Sequence, residues 1–66
     1  MSNVKVSKAD PFTMNCKMIF NDNARLQDQV RRMWASAESE RDYALLEYLE
    51  QMLGNISSEL RHRLDN

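Results

Sequence analysis

Few side chains in this 66-residue chain have the types and spacing that chemistry requires. Cys16 is the only thiol and His62 the only imidazole, and they stand far apart in the sequence. A nucleophilic cysteine needs a base beside it, and a metal site needs several ligands at close spacing. Neither pattern is present. No Gly-rich phosphate loop occurs either, since Gly54 is the sole glycine. Cys16 therefore reads as a small buried hydrophobe, and His62, in Arg61-His62-Arg63, as part of a solvated helix end. So small a chain cannot easily build a core and also shape an enclosed pocket. The expectation is a non-enzyme with no cofactor, no metal and no small-molecule substrate. One polar pattern remains: Thr13, Asn15 and Lys17 alternate with Phe12, Met14, Cys16 and Met18.

Strict alternation is the signature of a half-buried β-strand, with one apolar and one polar face. Residues 12–18 are thus expected to form a short strand, its apolar face continuing to Phe20. A lone strand must pair its backbone groups. The nearest candidate is its own copy in a second subunit. A rival reading makes Asp10 a helix N-cap with Pro11 at the first helical position, placing Phe12, Cys16, Ile19 and Phe20 on a helix face. The strand also accounts for Met14 and Met18, so it is preferred.

The rest of the chain reads as helical. Residues 1–11 are expected to be a flexible arm, and residues 12–66 one small domain. Asn21-Asp22-Asn23 is a turn cluster, followed by a helix from Ala24 to about Ala37. Leu26, Val30, Met33, Trp34 and Ala37 share one face of that helix. The helices break at Ser36 to Ser39, where Ser39 and Asp42 have the form of a capping box. The next helix runs from about Glu40 to Leu53. Its stripe of Leu46, Leu49, Leu53, Ile56 and Leu60 is widened by Leu45 and Met52, enough to face both the first helix and a second subunit. Gly54 reads as a helix stop with a short final helix beyond it; a single helix running through Gly54 is the alternative.

Composition bounds the class. A chain this short buries only ~60% of its unfolded surface, and one cysteine forms no internal disulfide. Self-association remains, and a homodimer is expected. The lone cysteine suits a reducing compartment, and no apolar run reaches the ~20 residues of a membrane span. The expected location is the cytoplasm. Net charge is −1, but the first 36 residues are basic and the rest acidic, a distribution compatible with one end meeting a polyanion.

A strand, a helix and a second helix in a dimeric chain resemble the ribbon-helix-helix family of DNA-binding repressors. The residues that carry the resemblance are Thr13, Asn15 and Lys17. It implies a mainly α fold in which a short N-terminal β-strand precedes a helical hairpin, with strands of two subunits forming a ribbon in the DNA major groove. Asn15 could then bond adenine, Lys17 guanine, and Thr13 a base or a thymine methyl, while Met14 and Met18 pack on the helices. The family usually has a Gly-containing turn between its helices and a phosphate-holding helix start. Here Ala35 to Ser39 lacks glycine, and Glu38, Glu40 and Asp42 crowd the start of the second helix. DNA affinity would then rest on Lys5, Lys8, Lys17 and Arg25. The alternative is an all-α helical-hairpin dimer that binds and modulates a host regulatory protein, as small phage or mobile-element accessory proteins do. Under it Phe12, Met14, Met18, Ile19, Phe20, Tyr43 and Tyr48 are candidates for the surface shown to the target.

Overall fold

A computed structural model describes residues 10–65, and these form a two-helix hairpin. Helix α1 spans Pro11–Met33, a 3₁₀ turn spans Trp34–Ser36, and helix α2 spans Glu40–Asp65. Among the described residues there is no strand. The expected β-strand at 12–18 is the first half of α1.

The reason lies at Asp10-Pro11. Asp10 is extended, with φ −58° and ψ 119°, as a residue before proline prefers. Its carboxylate accepts from the Thr13 backbone N–H at 3.3 Å and from the Thr13 hydroxyl at 2.8 Å. Pro11 fills the first helical position, where a missing N–H costs nothing. With the start fixed, the helix meets its own backbone needs, and no partner strand is required. The alternation of 12–18 survives only as composition: Met14 and Met18 lie on an exposed side of α1.

Three more expectations are corrected along the chain. Asn21-Asp22-Asn23 is not a turn but the middle of α1, so the helix begins thirteen residues before Ala24. It ends at Met33, short of Ala37, because the chain tightens into the 3₁₀ turn. Gly54 does not stop α2, which runs on to Asp65. No positive φ occurs among the described residues, so nothing at Gly54 calls for a glycine conformation.

The bend between the helices holds without glycine. The Ala37 N–H donates to the Trp34 carbonyl at 3.3 Å, and the Ser36 hydroxyl to the Met33 carbonyl at 3.2 Å. Ser39 caps α2 by accepting from the Asp42 N–H at 3.2 Å, and Asp42 accepts from the Glu38 N–H at 3.0 Å. Both arms of a capping box are filled, the return arm one residue early.

The seam between the helices follows a three-four spacing. On α1 it uses Thr13, Cys16, Phe20, Asn23, Gln27 and Val30, and it continues to Trp34 in the 3₁₀ turn. On α2 it uses Leu46, Leu49, Leu53, Ser57, Leu60 and Leu64. Ile56, expected in this stripe, is exposed, and Ser57 takes the seam position. The true core is thin: Cys16, Val30 and Leu46 are its buried apolar side chains. Asn23 is buried with them, and its amide donates to the Leu53 carbonyl across the seam at 2.9 Å. A fully buried, hydrogen-bonded amide at this level pins register, since a shifted pairing would strand it without its carbonyl partner.

A candidate interaction face

The expected base-reading trio does not form a surface. Two residues on is about 200° around a helix, so Asn15 points away from Thr13 and Lys17. The Thr13 hydroxyl is also committed to the Asp10 cap. Lys5 and Lys8 lie outside the described residues. Arg25 is paired with Asp22, one turn back on the same helix. Arg32 pairs with Asp28 at 2.7 Å and Arg31 reaches the same carboxylate at 3.9 Å. The cations of α1 are largely matched on their own helix.

What the fold gathers instead is apolar. Phe12, Ile19, Leu26 and Met33 stand seven residues apart on α1, so each returns to within about 20° of the one before and the four form a slowly winding row. On α2, Leu45, Leu49, Met52 and Ile56 form a second row at spacings of four and three. Apart from half-buried Leu49, these side chains keep 38% to 55% of their surface exposed. Leu26, expected on the core-facing side of its helix, belongs to this outer face, as does Leu45, expected to widen the stripe toward the first helix and a second subunit. Contacts at both ends put the two rows on the same side of the hairpin. At the bend, Met33 and Leu45 line one shallow pocket with Leu46, Ser36, Ala37 and Asp42. At the open end, the guanidinium of Arg63, seven residues beyond Ile56, lies 5.7 Å over the Phe12 ring. The hairpin therefore carries one long apolar face, closed at the open end by a cation on an aromatic ring.

The opposite side is organised differently. Trp34 and Tyr43 stack with centroids 5.8 Å apart and planes 18° from parallel. The indole N–H donates to Glu50 at 2.8 Å, and the Tyr43 hydroxyl to the Ala37 carbonyl at 3.4 Å. Arg61 covers Phe20 at 5.7 Å. The aromatic groups here have partners within the hairpin; on the first face, among the described residues, the aromatic contact is that of Arg63 with Phe12.

For chemistry the arrangement offers little. Cys16 is buried in the seam. Among the described residues no three metal-ligating side chains gather, and no helix is long and apolar enough to cross a membrane. Among the described residues, Asp10 has a shifted ionisation: the Thr13 hydroxyl bond holds its carboxyl below the usual aspartate range. It is a cap, not a site. No family model, curated protein or solved structure matches this chain.

The α1 row is divided in the sequence because strand and helix periods assign the same residues differently. Read with a period of two, Phe12 belongs with Met14. Read with a period of seven, it belongs with Ile19, Leu26 and Met33. The seven-residue repeat was present in the sequence and would have found the row.

Proposed function

We propose that this chain is a non-enzymatic interaction protein that works as a homodimer, two hairpins closing face to face into a four-helix bundle. The observation that carries the reading is the apolar face of Phe12, Ile19, Leu26, Met33, Leu45, Met52 and Ile56 on a hairpin that, among the described residues, buries only Cys16, Val30 and Leu46 of its apolar side chains. Fully burying a large apolar side chain contributes ~1.5–3 kcal/mol. The hairpin alone leaves about half of that unrealised at seven positions. Two-helix units with a stripe this wide reach a packed core by pairing with another helical face. A second copy supplies one with the same length and the same seven-residue repeat.

Once the face is covered, Met14 and Met18 remain outside, one turn apart on α1 and both more than half exposed. Long unbranched thioethers adapt to irregular partner surfaces. They are the contact this reading assigns to a target protein. DNA reading by a β-ribbon is not part of it, because residues 12–18 are helical.

The test has two arms. Sedimentation equilibrium should give a dimer for the wild type and a monomer for Leu26→Glu/Met52→Glu, with Lys17→Glu, off the face, unchanged. A wild-type monomer at tens of micromolar would refute the dimer. Pull-down with purified dimer should recover proteins that a Met14→Glu/Met18→Glu dimer does not. Equal recovery by both would remove the methionine pair from the reading.

A further inference from the structure

We infer that the two hairpins of the dimer lie with their bends at opposite ends, α1 against α1 and α2 against α2, each pair antiparallel. The inference rests on the face-to-face dimer proposed above and adds its geometry. Two arrangements bring the apolar faces together with two-fold symmetry. In one, the bends sit side by side and α1 crosses the partner's α2. In the other, the bends sit at opposite ends. Apolar matching does not separate them, because both rows run most of the hairpin's length. Charge does.

The bend half of the hairpin is acidic. Residues 28–50 carry Asp28, Glu38, Glu40, Asp42, Glu47 and Glu50 against Arg31, Arg32 and Arg41. The rest of the described chain is balanced. Asp10, Asp22, Glu59 and Asp65 are matched there by Lys17, Arg25, Arg61 and Arg63. Bends side by side would bring two acidic halves within about two helix diameters, ~20 Å. Bends at opposite ends put each acidic half over a neutral one.

The rim of the apolar face gives a second, local reason. With bends opposite, the two-fold axis passes between Ile19 and Leu26, so each Ile19 faces Leu26 of the partner subunit. Asp22 and Arg25 flank that point on the outer edge of the row. The symmetry then sets Arg25 beside Asp22 of the partner subunit, twice. Each of these exposed side chains is already turned toward the other sign on its own helix, so a reciprocal four-charge cluster forms with little rearrangement. In the bends-together arrangement Asp22 meets the level of Asn55 and Glu59 of the partner subunit, and Arg25 meets no acid.

The test is a distance across the dimer. In a Cys16→Ala background, Ser36→Cys carries one spin label per subunit at the bend. Double electron–electron resonance should give a separation of about 40 Å, since a helix of 26 residues rises about 1.5 Å per residue. A separation of about 20 Å or less would overturn the orientation and leave the dimer standing. No dipolar coupling together with a monomer mass would overturn the dimer itself. A helical circular dichroism spectrum and dimer mass for the labelled protein establish that it folds. Should Cys16→Ala fail that check, labelling Ser36→Cys with Cys16 retained and buried gives the same distance.

Discussion

Replacing Gly54 with alanine should stabilise this protein, and the size can be worked out. Gly54 lies inside α2, eleven residues from its end. Glycine in a helix interior is about 0.8–1.0 kcal/mol less favourable than alanine. Part of that comes from the unfolded chain, where alanine has less freedom to lose. The folded side offers no offset: a methyl group built at Gly54 meets nothing within 4 Å. Nor does it reach the apolar face. Gly54 stands about 160° around the helix from Met52, so a partner hairpin does not touch it. The expected gain is about 0.8–1.0 kcal/mol per chain and about twice that per dimer. Urea unfolding followed by circular dichroism, at one protein concentration, should show a higher midpoint with an unchanged slope. A lowered midpoint would refute the reasoning. It would mean that α2 breaks at Gly54, or that another chain approaches its backbone there.

Three further outcomes follow from the seam and the cap. Leu46 is only 2% exposed, and Leu46→Ala should cost ~2–5 kcal/mol; a loss below about 0.5 kcal/mol, the surface range, would show that the seam lies elsewhere. Asn23→Leu exchanges the bond to the Leu53 carbonyl for apolar contact, so stability should hold or rise while the pairing register loosens; amide spectra as sharp and single as the wild type's would remove the register role. The Asp10 cap is worth most when its carboxylate is charged and its pKa is depressed in the folded chain. Its contribution is therefore complete above the ordinary aspartate pKa and is lost as pH falls through the lowered one. The Thr13 amide proton shift should titrate below the usual aspartate range in the wild type and stay flat in Asp10→Asn; a wild-type midpoint at or above that range would sink the cap assignment.

Much of the hairpin was readable from residue order. The Ser39–Asp42 pair is a local hydrogen-bonding unit whose chemistry is complete within four residues, so the start of the second helix shows in the sequence. The second helix's apolar stripe shows for the same reason: its leucines repeat at helical spacing without a rival period. Residues 12–20 were not readable in this way. Phe12 to Met18 satisfies a strand period, and only the cap at Asp10 and the pairing of Asn23 with Leu53, thirty residues away, decide for the helix. The Asn21-Asp22-Asn23 cluster has turn composition, yet tertiary contact overrides it. Gly54 misleads similarly, since a helix held by its neighbours absorbs a cost of about 1 kcal/mol. The apolar row of the first helix was obscured by the same ambiguity, for its first two residues, Phe12 and Ile19, sit in the misread segment.

The stacked rings at the bend also bear on how the chain acquires its shape in time. Trp34 and Tyr43 touch while only nine residues apart in sequence, so the loop they close is short and its entropic cost small. Phe12 and Arg63 at the far end are fifty-one residues apart and gain their contact only after the helices have aligned. Folding should therefore begin at the bend and zip outward, with few long-range searches, which is the pattern of fast-folding helical proteins. Trp34→Ala should slow refolding, whereas Phe12→Ala should chiefly speed unfolding. Equal effects of the two on the refolding rate would argue for a nucleus spread along the whole hairpin. On a ribosome the order has a further meaning. The first helix leaves the tunnel with its long apolar row uncovered, and it waits through the synthesis of the bend before the second helix can begin to shield its seam.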